Sequence, residues 1–219
     1  VTSPDFSASS LAVSDEELAA AAAVIGRGGV VAFPTETFYG LAVDPFNEVA
    51  LARLFRLKER SLAKPVLVLI DTAASLDRLV EKIPEPYRRI IARFWPGPLT
   101  LVFAGRPGLP ALLTDGAGTV GVRLSSHPVA RRLARAAGGF ITGTSANPSG
   151  LPAPVNPAQV QELFPAGIDY LIDGGPTPGG GGSTIVGLEA GVPRLIRAGN
   201  IPFADIRVNH GSEVSNPSP

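Results

Sequence analysis

Apolar and polar positions alternate along this chain in two rhythms. At helical spacing, Leu18, Ala21, Ala22 and Ile25 follow Ser14-x-x-Glu17, a capping box, and Gly28-Gly29 stops the run. Asn47 can cap a second such segment, with Ala50, Leu51, Leu54, Phe55 and Leu57 on its apolar face. Residues 72–94 read as two short helices broken at Pro84 and Pro86. Ser126-His127-Pro128 opens another helix through Val129, Leu133 and Ala136, with His127 as a capping or surface residue, and Pro157 to Phe164 a short one. Between these lie short apolar runs of strand character: 30–32, 66–70, 99–103, 120–124, 140–144 and 170–173, then the β-like Ile185-Val186. Trp95-Pro96-Gly97-Pro98 is a turn before the run at 99, and Trp95 reads as a packing residue. Buried strands alternating with helices imply an α/β fold, read here as one domain with a single twisted mixed sheet, flanking helices and a concave cleft.

Composition narrows the chemistry. The 219 residues suit one domain with a real core, and no internal repeat is visible. Residues 1–13 read as a flexible arm, 14–207 as the domain and 208–219 as a polar, disordered tail. The formal net charge is zero, so no global field draws in nucleic acid, although a local basic patch can exist. There are no cysteines, which removes disulfides and thiol chemistry, and two histidines make a protein metal cage an unattractive reading. No apolar run reaches membrane-spanning length and no signal peptide is recognisable, so a cytoplasmic location is expected.

The chemistry concentrates in Phe33-Pro34-Thr35-Glu36-Thr37-Phe38-Tyr39-Gly40, where hydroxyls and a carboxylate follow a buried strand. Open α/β sheets place ligands at such positions. Lys58, Arg60 and Lys64 lie within seven residues after the second helix. They either neutralise the helix dipole or form a phosphate clamp, and the upstream stretch favours the clamp. Arg123 sits inside an apolar strand, where an unpaired charge is costly, so it pairs with a protein carboxylate or points into a ligand pocket. Ser145 and Asn147 end a strand and form either a local turn or a polar contact. The glycine-rich run 174–182 is a surface loop or an anion-binding nest, and lacks the Lys-Ser/Thr of a phosphate-binding loop of the nucleotide triphosphatases.

Pro34-Thr35-Glu36-Thr37-Phe38-Tyr39-Gly40-Leu41 with Asp44-Pro45 resembles the signature of the YrdC/Sua5 family, known best for L-threonylcarbamoyladenylate synthases. Lys58-x-Arg60 with Lys64-Pro65, Gly121-Val122-Arg123-Leu124, Ser145-Ala146-Asn147-Pro148-Ser149-Gly150, Ser183-Thr184-Ile185-Val186 and Arg197-x-Gly199 agree in order, over roughly residues 14 to 200. The resemblance implies a nucleotidyltransferase that makes threonylcarbamoyl-AMP from L-threonine, bicarbonate and ATP, with magnesium held by the ATP phosphates. A partner enzyme complex would then modify tRNA adenosine 37. It also implies a short form without the extra C-terminal domain of longer members.

Carried over by resemblance, Thr37 (or Thr35) and Ser183 would bind the amino acid, and Arg123 its carboxylate. Lys58, Arg60 and Lys64 would grip the triphosphate, with Lys58 and Arg60 catalytic. Thr119, Ser145, Asn147, Ala153 and Arg197 would complete the nucleotide site. Ser61 and Ser125 stand where proline is frequent, Leu69 where many longer members have a threonine-contacting histidine, and Gly187 where aspartate is frequent. The rival implications are a non-catalytic RNA- or tRNA-binding module and a paralogue making another carbamoyl adenylate.

Overall fold

The computed structural model describes residues 13–61, 65–114 and 118–207. Ser14 caps α1 (Asp15–Gly26): its hydroxyl accepts from the Glu17 N–H, and the Glu17 carboxylate accepts from the Ser14 N–H. Asn47 caps α2 (Glu48–Leu57) by accepting from the Ala50 N–H. Between these helices, β1 (Val31–Pro34) and β2 (Tyr39–Ala42) pair as an antiparallel hairpin whose tip is residues 35–38. The second strand of that hairpin is not legible in the apolar pattern, and it places the Thr-Glu-Thr cluster at a turn rather than in a loose connection.

The chain continues through β3 (Val68–Ile70), a 3-10 helix (Ala73–Arg78), α3 (Glu85–Phe94), β4 (Leu99–Ala104) and β5 (Thr119–Arg123). It then forms α4 (Pro128–Ala136), β6 (Phe140–Thr142), β7 (Thr144–Ser145), α5 (Pro157–Leu163), β8 (Tyr170–Leu171), β9 (Thr184–Glu189), β10 (Val192–Arg197) and α6 (Phe203–Arg207). Pro86 does not break α3, because it lies in the first turn, where its missing N–H is not needed. His127 takes the N-cap position of α4, as expected for a capping residue, but its side chain makes no capping hydrogen bond. Trp95 is buried and donates its indole N–H to the Leu99 carbonyl at 2.8 Å, in keeping with a packing role.

The class is α/β with mixed strand pairing, and the strands are shared between two sheets rather than gathered in one. The first runs β7-β2-β1-β8 and the second β10-β9-β4-β5-β3-β6. The reason lies at Gly143. Residues 140–144 look like one strand, yet β6 pairs with β3 in the second sheet while β7 pairs with β2 in the first. A Cβ at Gly143 would stand 2.6 Å from Leu69 Cγ, so only glycine lets the chain cross here against β3.

Period-2 alternation then divides the core. In β1 and β3, Ala32, Val68 and Ile70 face one apolar cluster, with α2 residues Leu51, Leu54 and Phe55 and α3 residues Tyr87 and Ile90. Val31, Phe33 and Leu69 face a second cluster, with Leu18, Ala21 and Ile25 of α1 and Val129, Leu133 and Ala134 of α4. Strands buried on both faces read as continuous apolar runs, which is why they are so visible in the sequence.

Candidate active site

A cavity of about 780 Å³ is lined by both sheets. The hairpin tip supplies Thr35, Thr37 and Phe38, and the second sheet supplies Leu69, Thr100, Thr119, Arg123, Ile185, Ile196 and Arg197. Ser145 comes from β7 of the first sheet, Ala153, Gly182 and Ser183 from the connections, and Arg60 from the turn after α2. Nine sequence-predicted residues therefore meet around one space: Thr35, Thr37, Arg60, Thr119, Arg123, Ser145, Ala153, Ser183 and Arg197. Lys64 lies outside the described residues.

Thr35 holds the tip together. Its Oγ1 donates to the Phe38 carbonyl at 2.7 Å and accepts from the Thr37 N–H at 3.1 Å. Thr37 Oγ1 lies 3.0 Å from Thr35 Oγ1. Thr35 is thus committed to the turn, and the turn presents Thr37.

Arg123 ends β5 with 5% of its surface exposed, and resolves the two sequence readings by satisfying both. Its Nη2 meets Glu36 Oε1 at 2.7 Å, and its side chain also lines the cavity. Its Nε is buried and has no hydrogen-bond partner among the described residues. Glu36 accepts in addition from the Ser125 hydroxyl and from the Ser126 N–H at 3.2 Å. Burial alone would raise the Glu36 carboxyl. The Arg123 charge, then the Ser125 and Arg123 hydrogen bonds, overcome that and hold it below its ordinary value.

Ser183 forms the opposite polar contact. Its Oγ accepts from Thr100 Oγ1 at 2.9 Å and from Arg197 Nη2 at 3.1 Å, while Arg197 Nη2 also donates to the Ser183 carbonyl at 2.7 Å. The β9–β10 ladder slips between Leu195 and Arg197. A bulge re-aims side chains, and both Ile196 and Arg197 line the cavity as a result. Arg60 Nη2 donates to the Pro65 carbonyl at 2.8 Å.

Burial first, then neighbouring positive charge, lowers the Arg60 and Arg197 guanidiniums: Arg60 feels Arg197, and Arg197 feels Arg123. The described lining holds three arginines and neither aspartate nor glutamate. Such a space attracts anions and rewards a polyanion that bridges the three.

Two expected residues stand elsewhere. Lys58 is 2% exposed, and its Nζ donates to the Ser145 carbonyl and to the Asn147 carbonyl at 2.5 Å, so it does not line the cavity. Asn147 donates its amide to the Leu151 carbonyl and is likewise absent from the lining. Within the glycine run, the Gly179 N–H is given to the Thr37 carbonyl and the Gly181 N–H to Asn200 Oδ1. The run is pinned to the hairpin tip, with those two donors already used. Sequence reasoning assigned no role to Glu36, Ser125 or Thr100. A carboxylate between two threonines was the available signal for the first, and nothing local marks the other two.

No group of three or more His, Cys, Asp or Glu side chains among the described residues could hold a metal ion. No described helix is long and apolar enough to cross a membrane.

These features define an α/β protein with a cationic cleft, free of carboxylates among the described lining residues, behind a Thr-Glu-Thr hairpin. Residues 23–199 match the Sua5/YciO/YrdC family model, described as "Telomere recombination", and the chain belongs to that family. Over 186 residues it is 40% identical to the threonylcarbamoyl-AMP synthase of Pyrococcus abyssi, a match covering 85% of this chain and 55% of that protein. A putative threonylcarbamoyl-AMP synthase of Mycobacterium tuberculosis is 38% identical over 84% of each chain. The crystal structure of P. abyssi Sua5 complexed with L-threonine superposes with a TM-score of 0.86 at 38% identity, covering 90% of this chain and 58% of that one. Escherichia coli YciO, at 22% identity and a TM-score of 0.79, shares the fold. The chain spans a little over half the length of the Pyrococcus and Bacillus subtilis relatives it matches.

Proposed function

We propose that this chain carries the catalytic cleft of a threonylcarbamoyl-AMP synthase. L-Threonine and bicarbonate condense to N-carboxy-threonine, the C–N bond forming as a C–O bond of bicarbonate breaks and water leaves. A carbamate oxygen attacks the α-phosphorus of magnesium-bound ATP, the bond to the β-phosphate oxygen breaks, and pyrophosphate leaves. The observation that carries the reading is the convergence of Arg60, Arg123 and Arg197 on one cavity whose described lining has no carboxylate. The attacking carbamate is already anionic, so no general base is required. Catalysis then rests on bringing two anions together and neutralising charge as it moves to the leaving group.

The roles follow from chemistry. Arg60 and Arg197, with Lys64 from the adjoining segment, would take the phosphates, and Thr119, Ser145 and the Ala153 backbone the rest of the nucleotide. Arg123 would hold the amino-acid carboxylate, supported by its buried Nε, which lacks a hydrogen-bond partner among the described residues. Thr37 and Ser183 would hydrogen-bond the amino acid. Magnesium would enter as MgATP, coordinated by phosphates and water. The product would pass to a transferase complex acting on tRNA.

The test is pyrophosphate release from MgATP with L-threonine and bicarbonate omitted in turn. Release that needs both supports the synthase. Release sustained by a different amine identifies a paralogue. Absence of release together with salt-sensitive RNA binding would overturn the enzyme reading.

A further inference from the structure

Lys58 and Arg60 are two residues apart and point to different places, and the backbone explains how. Lys58 is the C-terminal cap of α2, and Glu59 then takes a left-handed conformation with φ 50°, unusual for a residue with a side chain. That turn sends Lys58 inward and Arg60 to the cavity. The Lys58 ammonium donates to the carbonyls of Ser145 and Asn147, and the Lys58 carbonyl accepts from the Ser149 N–H at 2.8 Å. Three bonds therefore join the segment that bears Arg60 to the stretch that begins at Ser145, the last residue of β7. That stretch is fastened on its other side by the Ala146 N–H, which donates to the Tyr39 carbonyl at 2.8 Å.

We propose that Lys58 is a positioning residue, an internal tether that fixes the Ser145–Asn147 stretch against the Arg60 turn and so sets the spacing of two walls of the cavity. It would not touch the triphosphate. A strained residue held between two anchored ones is the backbone signature of such a device, because φ near 50° persists only where the surroundings impose it. Burial of an ammonium without a carboxylate is costly, which argues for a purpose beyond packing. The proposal rests on the synthase reading for its kinetic consequences, but not for its structural ones.

The chain has three lysines, Lys58, Lys64 and Lys82, and Lys82 is exposed. Reductive dimethylation of the wild-type protein, read by mass spectrometry with and without MgATP, separates tether from clamp. The tether predicts that Lys58 stays unmodified in both samples while Lys82 is fully modified. Modification of Lys58 in the free protein, whether or not MgATP protects it, overturns the proposal.

Lys58→Met keeps the length of the side chain and removes the donors. It should raise hydrogen exchange at the amides of Ala146 and Ser149 by about tenfold or more in the unliganded protein, as expected when a local anchor is lost. Unchanged exchange there would also overturn the tether. In turnover, Lys58→Met should raise KM for MgATP by about tenfold and leave KM for L-threonine within about twofold, since the loss acts through one wall. A wild-type protein that releases no pyrophosphate would defeat the synthase reading and leave the labelling and exchange results standing.

Discussion

Arg123 and Lys58 are both cations buried to within 5% of full enclosure, and they are accommodated in opposite ways. Arg123 is matched by a carboxylate, Glu36, which is itself held by Ser125 and the Ser126 N–H. Lys58 is met by two neutral carbonyls. The side-chain chemistry accounts for the difference. A guanidinium does not lose its proton in a protein, so an enclosed one demands a counter-charge. An ammonium can lose its proton, and burial, reinforced by the Arg60 charge, pulls Lys58 down to about 7. The lesson is that Arg123 carries a permanent charge that is balanced by Glu36 while its side chain lines the cavity, whereas Lys58 is held by neutral groups and its charge is conditional.

The strongest way to break this contrast is to remove the counter-charge. Glu36→Ala leaves Arg123 enclosed and unpaired, and should cost about 3–5 kcal/mol in urea unfolding. Glu36→Gln, which keeps shape and some hydrogen bonding, should cost clearly less. Equal costs for the two would show that charge matching is not what Glu36 supplies. Next in size, Arg123→Met should lower pyrophosphate release about 10²-fold, the scale of a lost transition-state charge contact, with the loss shared by kcat/KM for L-threonine.

pH sharpens the comparison further, because the two networks respond in opposite ranges. The Glu36 carboxyl lies below its ordinary 4.5 in the folded protein. Its contribution is therefore fully present above about pH 4.5, and is lost as pH falls through the folded value. Glu36→Gln should flatten that acid limb. Lys58 lies near 7 when folded against an ordinary 10.5, so the unfolded chain binds more protons between those values. Stability of the wild type relative to Lys58→Met should then rise from about pH 7 towards 10.5, measured by denaturant unfolding at several pH values. A slope of the opposite sign would mean that the carbonyls favour the ammonium more than burial opposes it. The smallest effect belongs to the half-exposed Arg53–Asp169 pair at 2.7 Å, where Arg53→Ala should cost at most about 1 kcal/mol.

How much of this was legible depended on range. Ser14-x-x-Glu17 and Asn47 act within one helical turn, so the starts of α1 and α2 could be read directly from the chain. The doubly buried strands announced themselves as apolar runs. What failed depended on contacts distant in sequence. Gly143 splits an apparent strand because Leu69 lies against it, and β2 is recognisable as a strand only once β1 pairs with it.

The site shows the same division. Arg123 in an apolar strand signalled an enclosed charge, but the choice between carboxylate and pocket was a false alternative, since Glu36 lies 87 positions earlier in sequence (123 − 36) and both conditions are met. Lys58, Arg60 and Lys64, within seven residues after the second helix, suggested a single clamp, favoured by the Thr-Glu-Thr stretch upstream. The left-handed turn at Glu59, invisible in composition, separates Lys58 from Arg60.

The contrast between the two buried cations is tested most directly by calorimetric titration of L-threonine into the protein held with MgATP analogue, for wild type, Arg123→Met and Lys58→Met side by side. We expect threonine binding to disappear in Arg123→Met and to survive within about threefold in Lys58→Met, because only the first would remove a charge that meets the amino acid. Binding retained in Arg123→Met, or lost equally in both variants, would contradict the assignment of one cation to the ligand and the other to the framework.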